Sequence, residues 1–489
     1  MDVSSSSQVH ESEMEAKVNL DSLLGRLIFE AGLGPDFLHL PSFQGMIDLL
    51  TRGVRIAMPT YEHILQVQLR EVEQRERALK KLWERNGCSL ILDRWNSHGK
   101  SFISAFVHHN EGMLFLRSMD ISTITNDIDE LASVVCEVVD DISARNIVQI
   151  IINDSSSYMQ AVEHAVLKKY DHSLLFTLCA DYCINLILEN IAALDHVNEV
   201  LMKARRITRF IYSHALPMQL KEHYILGGEI ISNCHLKYVA MFVTLERLVS
   251  QRANLLEMFS SSEWTSSDLA STNLSRQVCE IIQSENAFWR AAASILKVTA
   301  PIINVLLKLE TDNCSMGVLY DAMDSAKEEI KRNLGREHGR YWKLIDRIWD
   351  HYLHSHIHAA GYFLNPKIFY SESSNCILCF ITGIAVPWWL KHGGGTRELQ
   401  SFACRILSQT CFGASRYNID KSLSERLHTE ARSYPDQETF RKEEYIYYNL
   451  RLRNSVPRLH GPCEGKHGKL GPKLGDWISA ENTPVGQHF

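Results

Sequence analysis

The chain has 489 residues, a length that holds about three structural units. Hydrophobic residues make up 45% and charged residues 22%, which excludes collagen-like, coiled-coil and wholly disordered chains. Lys plus Arg is 51 against 58 Asp plus Glu, a net charge of -7. Any nucleic-acid role must therefore come from a local patch or a folded site, because a protein held by non-specific phosphate contacts is basic.

The 12 cysteines are scattered. Met1 to Lys17 has no apolar core, so no secretory leader is read, and the thiols are expected to stay reduced inside a cell. Cys376 to Leu390 is strongly apolar. It is shorter than the ~20 residues of a membrane helix and contains Pro387. It reads as buried or misassembled, not as a span.

Residues 1–18 are Ser- and Glu-rich and read as disordered. Residues 19–87 read as helical. Leu20, Leu23, Leu24, Leu27 and Ile28 share one helical face, Phe43 to Leu50 forms a second short helix, and Tyr61 to Arg85 a long charged one. Three short strands follow. Cys88 to Leu92 ends on Asp93, Phe102 to His108 follows Gly99, and Met113 to Met119 follows Asn110-Glu111-Gly112. Tight turns between short strands predict an antiparallel meander. Asp127 to Ser143 has helical spacing. Ile147 to Ile152 is a near-continuous apolar run, the mark of a strand covered on both faces, and it ends on Asn153 and Asp154. Helix, strand (Leu174 to Leu178) and helix (Tyr182 to Leu194) close the series.

This order predicts an α/β ribonuclease H-like mixed sheet. Its first and fourth strands would be parallel neighbours, with Asp93 and Asp154 side by side at their ends, placed to share a divalent metal. Residues 88–195 form the first part of this core. A large all-α insertion would occupy residues 196–370, after which residues 388–455 would complete the core. Residues 456–489, rich in Gly, Pro, Lys and His, read as a disordered tail.

Several stretches then become familiar: Gly87 to Trp95; Val148 to Tyr158; Phe176 to Glu189; Ile207 to Tyr212; Met258 to Ser267; His358 to Pro366; Trp388-Trp389; Arg405 to Cys411; and Tyr448 to Leu452. In this order they resemble the hAT superfamily of transposases, in its plant branch with a domain of unknown function before a C-terminal dimerisation region. The resemblance covers about Leu24 to Leu452. It implies two-metal phosphoryl transfer on DNA by an acidic triad, self-association or pairing with related hAT-like proteins, and a nuclear location.

The chain departs from that pattern where chemistry is concentrated. Asp93 and Trp95 stand in place, but Arg94 and Asn96 replace the Gly and Thr of the family motif. Asp154 stands between Asn153 and Ser155. The third acid falls on Tyr417 or Asn418, depending on which flank is used for counting, and neither is acidic. Asp420 and Glu425 are weak substitutes, since helical phase turns them to other faces. The family's Cys-x-x-His is here Cys179 to Tyr182, its Thr-Arg-aromatic is Leu236-Lys237-Tyr238, and no zinc finger precedes Leu20. Residues 371–387 form a truncated junction, where Ser374 to Ala385 replaces a helical segment.

Asp93 and Asp154 are thus read as inherited, vestigial positions. The expected activity is association through Trp388, Trp389, Leu399, Phe402, Ile406, Leu407, Tyr448 and Leu450. Lys203, Arg205, Arg206 and Arg209 form a basic helix face, by default solvated and second a DNA-backbone contact. No cofactor is expected, with magnesium implied only if the chain is active. No membrane or small-molecule substrate enters the reading. The competing reading keeps residual strand transfer on Asp93, Asp154 and a substitute acid. His351, His354, His356 and His358, Cys376 with Cys379, and Cys179 with Cys183 read as ordinary packing residues rather than metal ligands.

Overall fold

The structure, a computed structural model, describes residues 20–50, 58–225, 228–284, 287–311, 315–369, 385–417, 419, 421, 424–425 and 437–454. The two terminal segments expected to be disordered, most of the junction at 371–387, Cys376, Cys379, Asn418 and Asp420 lie outside these residues. The chain divides into two compact units. One comprises residues 1–176 and 397–458, the other 177–396 and 459–489.

A mixed sheet is formed by strands β1 (Cys88–Ser97), β2 (Lys100–His109), β3 (Gly112–Asp120), β4 (Ile147–Ile152) and β5 (Phe176–Leu178), in the order β3-β2-β1-β4-β5; the first unit holds β1 to β4 and the first residue of β5. The meander β1-β2-β3 is antiparallel, and β1 runs parallel to β4. The β1–β2 hairpin turns on His98 and Gly99, both at positive φ, as a two-residue hairpin turn that follows the strand twist requires. β1 does not end at Asp93 as expected. Its pairing with β4 stops at Leu92–Ile152, while its pairing with β2 continues to Ser97–Lys100. Asp93 therefore sits inside a strand, at the point where one neighbour is lost.

The helix Tyr61–Asn86 starts on Thr60, whose side chain accepts from the His63 N–H, and buries Ile64, Leu65, Gln68, Val72, Leu79 and Trp83. It stops at Gly87, whose N–H donates to the Trp83 carbonyl at 2.8 Å. Gly87 has φ +73, and a Cβ there would lie 2.4 Å from the Val148 side chain. Only glycine passes so directly from helix into β1. Helices Ile128–Ile142 and Ser157–Lys169 pack on one another. Asp127 and Ser156 cap them, accepting from Glu130 and Met159 N–H groups.

Distant residues complete this unit. Gln149, Ser89 and Gln409 are fully buried polar residues. The Gln149 amide donates to Ser89 Oγ at 2.9 Å and to the Thr410 carbonyl at 2.6 Å, and Ser89 Oγ donates to Gln409 at 2.9 Å. The helix Gln437–Asn454 packs on β3 and on Tyr61–Asn86. Its Asn449 accepts from the Phe115 N–H at 3.0 Å and donates to the Phe115 carbonyl at 2.9 Å. β3 is an edge strand, and its register shifts beside Phe115. The Asn449 amide thus takes the place of a neighbouring strand.

The second unit is helical. Ala287–Thr311 packs against Lys237–Ser250, Ser315–Leu334 and Ala180–Ala192. By length and composition its Ala287–Glu310 stretch is long and apolar enough to cross a membrane, but this packing is that of a core helix. Phe210, Phe259 and Trp264 form an aromatic cluster with ring centroids 5.0–6.3 Å apart. Gly317 and Gly361 mark a close helix crossing: a Cβ on Gly317 would lie 2.9 Å from the Gly361 carbonyl.

The compact units change over at 176, within β5, and at 397; the sequence reading has the insertion at 196–370, the junction at 371–387 and the core resuming at 388. Ala180–Ala192 joins the helical unit because it packs against Lys237–Ser250, Ala287–Thr311 and Gly339–Ile348. Ala385–His392 joins it too, since Trp389 Nε1 donates to the Leu364 carbonyl at 2.8 Å.

The substitution Asn449→Leu leaves the buried Phe115 N–H and carbonyl unpaired. It is expected to lower stability by about 3 kcal/mol, read as a lower urea midpoint at unchanged m-value.

Candidate functional site

Asp93 and Asp154 are tied reciprocally: Asn153, next to Asp154, bonds Asp93, and Arg94, next to Asp93, bonds Asp154. β4 ends at Ile152, and the Asn153 side chain continues its pairing. Its Oδ1 accepts from the Arg94 N–H at 2.8 Å, and its Nδ2 donates to the Arg94 carbonyl at 3.0 Å and to Asp93 Oδ1 at 2.7 Å. The other Asp93 oxygen, Oδ2, meets the Lys421 ammonium at 2.7 Å. Asp154 Oδ2 accepts from Arg94 Nη1 at 2.6 Å, and its Oδ1 from the Ser156 N–H at 2.9 Å. All four carboxylate oxygens are engaged by protein donors, and two of those donors are cations.

Burial makes these partners matter. The Asp93 side chain is only 7% exposed, and Lys421 is 34% exposed. A carboxylate so placed needs a close counter-charge and further hydrogen bonds. The Lys421 ammonium also lies 5.5 Å from the Trp95 ring centroid. Trp95 stacks on Phe102 at 4.3 Å and donates Nε1–H to Ser104 Oγ at 3.0 Å.

From Ser104 a polar chain continues inward. Ser104 Oγ lies 2.8 Å from Ser118 Oγ, which lies 3.3 Å from Ser424 Oγ. Ser424 Oγ donates to the buried Glu444, and the Ser424 N–H donates to the Tyr448 hydroxyl at 3.2 Å. Burial raises the Glu444 carboxyl to about 7.

Of the third-acid positions, the two described residues have other surroundings. Tyr417 is half-buried, and burial raises its phenol. Glu425 is paired with the exposed His98 at the hairpin tip. The divalent-metal site implied by the resemblance does not fit the residues present, because Arg94 and Lys421 already hold the carboxylates such ions would need. Among the described residues no three His, Cys, Asp or Glu side chains gather as a metal site. His358 is fully buried with Nδ1 2.8 Å from the Leu353 carbonyl, and burial lowers it to about 4. Cys179 and Cys183 are buried.

The residues expected at an association surface separate into two sets. Ile406, Leu407, Tyr448 and Leu450 are buried in the first unit's own core, whereas Leu399 and Phe402 are 45% and 50% exposed. Helix Arg397–Leu407 has its first half outside the core and its second half within it, so one stripe is divided along its length. Trp388 and Trp389, half-buried, belong to the second unit with ring centroids 5.4 Å apart. On helix Asp195–Ser213, Arg206 and Arg209 are exposed, Arg205 is half-buried, and Lys203 pairs with Glu199 at 2.6 Å.

Sequence reasoning missed Lys421 and Glu444. Lys421 lies in the very window searched for an acid, and its opposite charge was the available signal. Glu444 gave none, since a Glu in a charged helix reads as solvated.

Residues 57–207 match a family described as a domain of unknown function, DUF659, a domain found in hAT-like, transposase-related plant proteins. The match runs from the approach to helix Tyr61–Asn86, through the whole sheet, into helix Asp195–Ser213. No curated protein matches the chain.

The Glu444 carboxyl binds its proton more tightly folded, at about 7, than at its ordinary 4.5. Its contribution to stability therefore falls as pH rises from 4.5 to about 7 and stays low above. Glu444→Gln is expected to match the native chain at pH 4 and to exceed it at pH 8 by up to roughly 3 kcal/mol, measured by urea unfolding across that range.

Proposed function

We propose that the chain is a transposase-derived protein that no longer cuts DNA and acts through protein association, in the nucleus and beside DNA. The observation that carries this reading is the engagement of all four oxygens of Asp93 and Asp154 by protein donors. Two-metal phosphoryl transfer needs those oxygens for metal ions.

The fold supports the origin. The order β3-β2-β1-β4-β5, with β1 parallel to β4, supports a ribonuclease H-like reading, in which Asp93 and Asp154 are the inherited metal-ligand positions. The first unit is interrupted between 176 and 397 by a unit whose described residues beyond the end of β5 form helices and no strand, as an inserted domain would interrupt it. The DUF659 match supports a transposase-related ancestry.

Association falls to the exposed Leu399 and Phe402, one turn apart on a helix whose other half is fixed in the core. The partner is a second copy of this chain or a related hAT-like chain. DNA contact, where it occurs, falls to Arg206 and Arg209, whose charge lies at the surface.

Light scattering behind a size column should give a dimer mass for the full chain and a monomer mass for Leu399→Glu/Phe402→Glu with unchanged circular dichroism. A folded native monomer removes the association claim. Supercoiled plasmid in magnesium should stay uncut. Nicking that disappears in Asp93→Asn would restore the strand-transferase reading. Arg206→Ala/Arg209→Ala should weaken DNA binding and reduce its salt slope by about two ions.

A further inference from the structure

The geometry points to an acidic pair whose cations are part of the chain. We propose that Arg94 and Lys421 act as resident counter-ions, closing Asp154 and Asp93 to divalent metals while clamping the returning chain at residue 421 onto β1. The inference rests on the non-cutting reading above and adds what holds the site instead.

Lys421 has a built seat. One side is the Asp93 carboxylate at 2.7 Å, the length of a charge-assisted hydrogen bond. The other is the Trp95 ring, 5.5 Å from the ammonium to the centroid, within range of a cation–π contact. Trp95 is fixed by Phe102 and Ser104. Arg94 is seated as firmly. Its N–H and carbonyl are both bonded by Asn153, and its guanidinium is 2.6 Å from Asp154. Two cations therefore neutralise two acids with no exchangeable ion.

A consequence follows from charge balance. With both cations removed, Asp93, still bonded by Asn153, and Asp154, still bonded by the Ser156 N–H, lose these two counter-charges in a sheltered place. Such a site favours a hard, oxygen-seeking cation. Divalent affinity is thus latent in this chain, suppressed by two side chains rather than lost with the acids.

Terbium reports the site, because its emission is sensitised by a neighbouring indole and Trp95 adjoins Asp93 in β1. The full-length native chain should give no saturable sensitised emission, and manganese should leave its melting midpoint unchanged. Arg94→Gln/Lys421→Gln should gain saturable emission and a manganese-dependent rise in midpoint, and adding Asp93→Asn should abolish both. Native emission that disappears in Asp93→Asn overturns the proposal, as does a cooperatively folded double variant that binds neither ion. Should the double variant fail to fold, Lys421→Gln alone carries the same expectation with weaker binding, and the native arm needs neither. A native chain that binds terbium but leaves plasmid uncut ends this inference and spares the non-cutting reading, whereas metal-dependent cutting ends both.

Discussion

Buried polar groups on the central sheet can be satisfied only by chain that lies far away in sequence. Ser89 and Gln149 face one another across β1 and β4 with no exposure. Left alone, their side chains would be orphaned donors and acceptors, each costing on the order of 1–3 kcal/mol. Gln409 and Thr410, up to 320 positions later, supply the missing partners. Hydrophobic burial alone would tolerate many placements of the returning chain. This network admits one, which is why the first unit is a single fold made from two separated stretches.

Asparagine side chains solve two related problems. An asparagine amide carries the donor and acceptor of a peptide group, so it can stand where a strand is missing. Asn449 does so on edge strand β3, covering a backbone position that could otherwise pair with another chain. Asn153 does so beyond the end of β4, and in the same act hydrogen-bonds Asp93. The geometry of the acidic pair is thus a by-product of how the sheet's pairing is prolonged.

The electrostatics of that pair follow from its shelter. In water an ammonium and a carboxylate contribute little; for a carboxylate as covered as that of Asp93 the counter-charge is a condition of burial. Lys421 and Arg94 meet that condition from within the chain. The polar chain through Trp95, Ser104, Ser118 and Ser424 to Glu444 links this sheltered pair to a buried carboxyl on the closing helix.

Much of the first unit was legible in the sequence. Ile147 to Ile152 is a near-continuous apolar run, and the three strands before it are marked off by Gly99 and Asn110-Glu111-Gly112, so the strands and their order along the chain followed from period and turn chemistry, while the neighbouring of the first and fourth strands came from matching that order to a known fold. The length of β1 was not legible, because it depends on β2 continuing as a partner after β4 has stopped. The unit boundary at 176 was hidden for a similar reason: Ala180–Ala192 is apolar on the face any neighbour would bury, and nothing local says which neighbour it meets. In Arg397–Leu407 the stripe was visible, but its division into exposed Leu399 and Phe402 and buried Ile406 and Leu407 was not. Local sequence thus determined the elements and the two acids, because periodicity and turn residues act over a few positions. Tertiary structure alone decided what those acids pair with, because Lys421 reaches Asp93 only after the chain has left the sheet, built a second unit and returned.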